Sequence, residues 1–279
     1  MLYITYNANN FHNDGMGAQY QRMIAIISLC NYCKSGNNIE YVHTPITKIE
    51  HISTELEVYQ IENFFGFSKT FTNITDVLFD ETVEMNNISD FQVIIELSKK
   101  SKQLQKNILL KTALIFGIVE KYIYMYENTL KLLRSIRYPS SPASLEHFSK
   151  PEGKNVAVHI RRGDVTLNTT NRDILVRFTP VEYFKDIILQ MQLQTPTLNF
   201  YIFTELTVEN KHEFEIFRDI PNLEIISDNR TLNTFHHLIN ADILVTCKSS
   251  FSYISAFYNP NVVYYVPFWH QPLSHWIKM

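Results

Sequence analysis

The sequence predicts an α/β protein in two halves, and three patterns in its 279 residues carry that reading. Residues 155–266 alternate apolar, β-branched strand segments with helix-period segments, the pattern of a parallel sheet covered by helices on both faces. The chain opens with a strand, a glycine-containing loop, a helix and a second strand, which together make a βαβ unit. Between the halves, Tyr138-Pro139-Ser140-Ser141-Pro142 and then Pro151-Glu152-Gly153 carry the prolines and serines of a linker. The expected boundaries are an N-terminal domain over 1–138, a linker over 139–153 and a C-terminal domain over 154–279. A chain of this length supports two cores of about 130–140 residues each.

In the N-terminal half, residues 2–6 read as a strand and 7–14 as a polar loop leading to Gly15-Met16-Gly17. Met23, Ile24, Ile27, Leu29 and Cys30 recur at helical spacing, so 18–33 is expected to be a helix. A second strand over 40–43 is stopped by Pro45. Residues 54–65 and 91–104 read as helices, and 107–135 as one long helix. The mixed, polar stretch 66–90 yields no assignment. In the C-terminal half, strands are expected over 155–160, 199–204, 223–227, 243–246 and 262–266. Helices are expected over 180–193, 207–218, 232–240 and 250–258, the first capped by Thr179 with Glu182 three residues on. Ligands of a parallel α/β sheet gather at the C-terminal ends of its strands. The loops after Ile160, Thr204, Ser227 and Thr246 should therefore face one site.

Composition narrows the function. Hydrophobic residues make up 45% and charged residues 19%, as in a soluble globular protein. A net charge of −3 argues against a nucleic-acid binder and leaves room for a local basic pocket. The three cysteines, Cys30, Cys33 and Cys247, give no disulfide framework. Cys30 and Cys33 form a C-x-x-C late in a helix with no second ligand pair, so they read as packed thiols rather than a zinc or redox site. The N-terminus lacks the basic segment of a secretory signal. The most apolar stretch, 108–126, contains Lys111, Glu120 and Lys121 and reads as a buried or amphipathic helix, not a membrane span. A cytoplasmic protein with no transmembrane segment is expected.

Three motifs carry chemistry. Val158-His159-Ile160-Arg161-Arg162-Gly163-Asp164 lies where a buried strand gives way to a loop. Charges there need partners. Arginine suits bidentate contact with phosphate oxygens, Gly163 suits a sharp turn, and Asp164 can hold an arginine by an ion pair. An adhesive role for Arg162-Gly163-Asp164 would need an exposed flexible loop, which the end of a buried strand does not provide. Lys248-Ser249-Ser250-Phe251-Ser252 follows a strand and opens a helix, where free N–H groups and the helix dipole attract anions. Simple capping by Ser249 or Ser250 is the alternative. Asp14-Gly15-Met16-Gly17-Ala18-Gln19 follows the first strand; Tyr20 interrupts the full G-x-G-x-x-G pattern, so a dinucleotide site is rejected.

His159-x-Arg161-Arg162-Gly163-Asp164 resembles the H-x-R-R-G-D signature of the α1,2-fucosyltransferases and their superfamily, which includes α1,6- and protein O-fucosyltransferases. Ser249-Ser250-Phe251-Ser252 resembles that superfamily's later Ser-Ser-Phe-Ser motif. The segment from Asp228 to Asp242 resembles the acidic–apolar stretch before it. Gly15-Met16-Gly17-Ala18-Gln19 resembles the N-terminal Gly-x-Gly-Asn-Gln loop, with Ala18 in place of Asn. The motifs follow the superfamily's order over about two-thirds of the chain; residues 45–150 match none of them.

The resemblance implies a GT-B fold: two Rossmann-like domains with parallel sheets facing a central cleft. It implies an inverting glycosyltransferase without a required metal or separate cofactor, taking a nucleotide-sugar donor, GDP-fucose first, and an oligosaccharide acceptor. Arg161 would contact the β-phosphate, with His159 and Asp164 shaping its loop. Asp228, Ser249, Ser250 and Phe251 would complete the donor site, and Gly15 and Gly17 would approach it. Asp14 would be the catalytic base, with His43, Glu50, Asp76 and Asp80 as runners-up. The same fold could use a UDP-sugar such as UDP-xylose, or be a catalytically inactive glycan- or nucleotide-binding protein.

Overall fold

The computed structural model describes residues 1–9, 14–34, 37–137, 145–148, 150, 152–166, 170–227 and 230–279. The chain divides into two compact units, Met1–Ser140 and Ser141–Met279.

The first unit runs β1 (Leu2–Tyr6), α1 (Met16–Cys33), β2 (Ile39–Tyr41), α2 (Glu55–Phe65), α3 (Phe67–Thr70), a 3₁₀ turn (Ile74–Asp76), β3 (Glu81–Glu84), α4 (Phe91–Leu104), β4 (Ile108–Thr112), α5 (Phe116–Val119) and α6 (Tyr124–Ile136). Its four strands lie in the order β2-β1-β4-β3, and every pair is parallel. The expected βαβ opening is present, with Leu2 opposite Ile39 in register.

The single long helix expected over 107–135 is a misreading. Residues 108–112 instead form the strand β4, paired with both β1 and β3. Ile108, Leu109 and Leu110 are all buried, as in a strand covered on both faces. Such a continuous apolar run cannot be told from a buried helix by period alone. Gln105 at φ 51 ends α4 in the left-handed conformation and turns the chain into β4. The unassigned stretch 66–90 holds α3, the 3₁₀ turn and the edge strand β3. On α1, Cys30 and Cys33 are buried free thiols, and burial pushes Cys33 up to about 11.

The second unit runs β5 (Lys154–His159), α7 (Arg172–Leu175), α8 (Val181–Gln194), β6 (Leu198–Phe203), a 3₁₀ helix (Lys211–Phe217), β7 (Leu223–Ile226), α9 (Thr231–Asn240), β8 (Ile243–Val245), α10 (Ser250–Tyr258), β9 (Val262–Tyr265) and β10 (Ile277–Lys278). Its six strands lie in the order β10-β9-β8-β5-β6-β7, again all parallel. Val156, Ala157 and Val158 of the central β5 are wholly buried.

Two local expectations fail here. The helix expected over 207–218 is 3₁₀ instead, which puts Phe214 and Phe217, three residues apart and both buried, on one ridge. Thr179 does not cap α8; the cap position is Pro180, with no side-chain bond. The Thr179 carbonyl instead accepts from Arg162 Nη2 at 3.1 Å.

Most of the expected linker lies outside the described residues. Within it, His147 and Phe148 pack on His237, each with ring centroids 4.9 Å away. Among the described residues no helix is long and apolar enough to cross a membrane.

The strand order creates a switch point in each sheet. From β5 the chain builds β6 and β7 on one side, then crosses to β8 on the other side of β5. From β1 it builds β2 on one side and places β4 on the other. The loops that part at such a point leave a crevice at the carboxyl ends of the strands, where α/β sheets bind ligands.

Candidate functional site

In the second unit the switch point lies between β5 and β8, which are paired with Val158 opposite Val245. The loop after β5 carries His159 to Asp164. The loop after β8 carries Cys247 to Ser250 and opens α10. Two sequence motifs about 90 residues apart thus flank one crevice. His159 and Phe251 pack with ring centroids 5.4 Å apart, and Phe251 packs on Phe235 at 5.6 Å.

The adjacent arginines do different jobs. Arg162 is 3% exposed and fully engaged. It donates from Nε to Glu213 Oε2 at 2.9 Å, from Nη1 to the Arg161 carbonyl at 2.9 Å and from Nη2 to the Thr179 carbonyl, while lying 4.5 Å from the centroid of the Phe178 ring. It anchors the loop to α8 and the 3₁₀ helix. The Arg161 side chain is 23% exposed, and its Nη2 reaches both Asp164 oxygens at 2.9 and 2.8 Å. Its buried Nε has no hydrogen-bond partner among the described residues. A buried guanidinium N–H without an acceptor is costly, and an anionic ligand would supply one.

Gly163 makes the turn between Arg161 and Asp164 at φ 77, a conformation that disfavours any side chain. A Cβ there would also lie 2.1 Å from the Glu205 carboxylate.

On the β8 side, Ser249 caps α10: its Oγ accepts the Phe251 N–H at 3.2 Å. The capping alternative is thus realised for Ser249. Ser250, half-buried at the first position of the helix, is placed beside its first-turn N–H groups. Lys248 Nζ donates to the Phe178 carbonyl at 3.5 Å, on the same stretch that covers Arg162. Asp228 lies outside the described residues. Asp242, at the other end of that segment, accepts the Asn155 N–H at 2.8 Å and joins β5 to β8 at their start, away from the site.

Burial, and then the Arg161 charge, lower the His159 imidazole to about 3. The ring is therefore neutral near pH 7. The unfolded chain, with histidine at 6.5, binds more protons than the folded one between about pH 3 and 6.5. This contribution to stability is complete above 6.5 and falls away as pH drops through that window, by at most about 1.4 kcal/mol per pH unit. Burial lowers His237 too, with the same sign. Urea midpoints at pH 7 and pH 5 should show a smaller loss for His159→Gln than for the wild type. Equal losses would contradict a neutral His159.

In the first unit, Asp14 and Gly15 stand between the C-terminal end of β1 and the start of α1. Gly15 occupies the cap position of α1 without a side-chain bond, at φ −69, and a Cβ there would meet nothing within 4 Å. The opening for Gly15 is therefore space rather than backbone conformation. Gly17 is buried inside α1. Asp14 Oδ2 pairs with Arg22 Nη1 at 2.6 Å, and the Asp14 carbonyl accepts from Gln19 Nε2 at 2.8 Å and the Glu50 N–H at 3.1 Å.

Of the runners-up, His43 lies inside the first unit. It is wholly buried, with Nδ1 3.0 Å from the Tyr41 hydroxyl and Nε2 3.0 Å from Glu62 Oε2. Glu62 Oε1 in turn accepts from the Tyr20 hydroxyl at 2.5 Å. This is a satisfied polar network inside the first unit. His43→Ala should lower stability to urea by about 1–3 kcal/mol and leave turnover per folded molecule within about twofold. A collapse of turnover at unchanged stability would make it the base. Asp80 accepts the Asn107 N–H at 2.8 Å before β3 and β4 begin, at the end of the first sheet opposite the one that leads to Asp14. Glu50 sits next to Asp14 through its backbone bond, and Asp76 is exposed in the 3₁₀ turn. Among the described residues no three His, Cys, Asp or Glu side chains gather as a metal-ligand group.

No protein-family model and no curated protein sequence matches the chain. Solved structures do. POFUT1, a GT-B fucosyltransferase, in complex with GDP superposes with a TM-score of 0.53 at 10% identity, covering 96% of this chain and 99% of that one. POFUT1 in complex with GDP-fucose superposes with a TM-score of 0.52 at 11% identity, covering 93% and 94%. The chain has the GT-B fold, with a parallel α/β sheet in each unit.

Proposed function

We propose that the protein is a glycosyltransferase that takes a sugar from a nucleoside-diphosphate donor, GDP-fucose first, and transfers it to a hydroxyl of an oligosaccharide acceptor. The observation that carries this reading is Arg161, whose buried Nε, without a hydrogen-bond partner among the described residues, stands at the switch point between β5 and β8, beside the start of α10. A guanidinium and a helix N-terminus together suit a diphosphate. Asp164 orients the guanidinium. Arg162 ties down the loop, so Arg161 is positioned before the donor arrives.

Transfer breaks the bond between the anomeric carbon and the β-phosphate oxygen, and negative charge grows on the departing diphosphate. Arg161 and the first-turn N–H groups of α10 are placed to stabilise that charge. Ser250 adds a hydroxyl donor. The neutral His159 contributes a hydrogen bond rather than a charge. With these cationic and dipolar groups supplied by the chain, the proposed reaction needs no metal. Inversion requires the acceptor hydroxyl to attack from the face opposite the diphosphate, losing its proton to a base. We assign that base to Asp14, whose Oδ1 makes no hydrogen bond among the described residues. POFUT1 bound to GDP and to GDP-fucose supports GDP-fucose as the first donor to try.

The test is a titration of GDP, UDP, GDP-fucose and UDP-xylose, with EDTA throughout. Selective, EDTA-insensitive binding of GDP and GDP-fucose is expected. Selective binding of UDP would keep the site and replace the donor by a UDP-sugar. Binding of neither nucleotide would sink the proposal. Donor binding without any transfer or hydrolysis would make the chain a binding protein on the same fold.

A further inference from the structure

We propose that the buried Cys247 thiol donates its proton to His159 Nδ1 and so holds the imidazole in the tautomer that carries its hydrogen on Nε2, facing the donor diphosphate as a hydrogen-bond donor. The proposal deepens the donor-site reading above and rests on it for the identity of the ligand.

Cys247 is 2% exposed and follows β8 in the loop that leads to α10. Its Sγ lies 3.2 Å from His159 Nδ1 and 3.6 Å from Ser252 Oγ. The surrounding bonds favour one direction for the proton. Ser252 Oγ accepts the Cys247 N–H at 3.2 Å and has two carbonyls, those of Cys247 and Ser249, each 3.3 Å away, to receive its own hydrogen. The thiol hydrogen therefore has a choice between a serine oxygen at the longer distance and an imidazole nitrogen at the shorter one. A nitrogen lone pair is the better acceptor, while thiol sulfur is a weak one. In the reverse arrangement the imidazole N–H would be spent on sulfur. Burial raises the thiol above its usual range, so it keeps the hydrogen it donates.

The consequence falls on the other ring nitrogen. His159 Nε2 meets no hydrogen-bond partner among the described residues. The imidazole does not gain a second proton near neutral pH, so it presents either a lone pair or an N–H at Nε2. A lone pair would repel a diphosphate and an N–H would bind it. The thiol decides between the two. Cys247 is thus a positioning residue: it acts through His159, much as second-shell groups fix the tautomer of a liganding histidine.

The test uses the whole chain. Side-chain ¹H–¹⁵N spectra of the unliganded protein, with the His159 signals identified by their loss in His159→Gln, should show the proton on Nε2 and Nδ1 shifted by an accepted hydrogen bond. Cys247→Ala should lose that shift at Nδ1 and bind GDP about tenfold more weakly. Cys247→Ser, which keeps a donor in place, should retain the shift and bind GDP within about threefold of wild type. A wild-type His159 protonated on Nδ1 overturns the proposal, whatever the variants do. So does a Cys247→Ala protein with unchanged Nδ1 signal and unchanged GDP affinity. If the spectra follow the expectation and the wild type binds no GDP, the tautomer assignment stands and the donor reading fails.

Discussion

Arg161→Ala is expected to lower kcat for sugar transfer by about 10²–10³-fold, the cost of deleting one preorganised donor to a developing anion. GDP affinity should fall as well, because the diphosphate loses the guanidinium in the ground state too. Arg161→Lys should recover little. A lysine ammonium is a point charge and cannot hold the two Asp164 oxygens while turning further N–H groups to the phosphate, whereas Arg161 has Nη2 on Asp164 and an Nε with no hydrogen-bond partner among the described residues. Arg162→Ala provides the contrast. Its three hydrogen bonds and its place over Phe178 hold the loop together, so its loss should appear in the urea midpoint. Steady-state kinetics with GDP-fucose and denaturation on the same preparations separate the two. Full turnover in a folded Arg161→Ala would remove Arg161 from the leaving-group role and with it the main support for the proposed reaction.

The difference between these arginines shows where sequence reasoning stops. Both stand in one motif, and residue type marks both as phosphate ligands. Only the fold places Glu213, 51 residues on, against Arg162 Nε, while Arg161 keeps its neighbour Asp164 on Nη2 and has no hydrogen-bond partner for Nε among the described residues. The alternation of strands and helices over 155–266 was legible because each strand is apolar and short and each break is marked by polar or proline residues. The switch point follows from strand order, which no local pattern encodes. In the first unit, β4 was misread as helix because a strand buried on both faces has lost the alternation that would identify it. Its pairing with β1 and β3 depends on residues about 30 to 100 positions away.

The same limit applied to His43 and Cys247. A histidine at the end of a strand suggests a catalytic base, but its network draws on Tyr20, Tyr41 and Glu62 from three different elements. Cys247 stands next to a recognisable motif, with no local pattern that assigns it a role; its 3.2 Å contact with His159 arises because β5 and β8 are neighbours. Neighbouring strands at a switch point were the available signal: a polar residue one or two positions past the end of each should meet its counterpart across the crevice.

Asp14→Asn should reduce kcat by about 10²–10⁴-fold, the usual range for a general base, while the Kd for GDP stays within about twofold. The split follows from its place in the first unit, whereas the proposed diphosphate site is built by the loops after β5 and β8 in the second. The substitution is nearly isosteric, and the backbone bonds from Gln19 and Glu50 use the Asp14 carbonyl, so the loop should keep its shape. What changes is the acceptor. An asparagine amide at this position could not take a proton from the attacking hydroxyl, and the Arg22 ion pair at 2.6 Å would be lost. That second effect needs its own control, because Arg22 also reaches the Tyr6 hydroxyl at 3.4 Å and helps to hold the start of α1. Arg22→Gln breaks the ion pair while leaving the carboxylate in place. A modest loss there, beside a collapse in Asp14→Asn, would assign the chemistry to the carboxylate itself. Equal losses in both would mean that the ion pair matters as structure, and that the base has to be sought elsewhere, with Glu50, joined to Asp14 through the backbone, the next residue to replace.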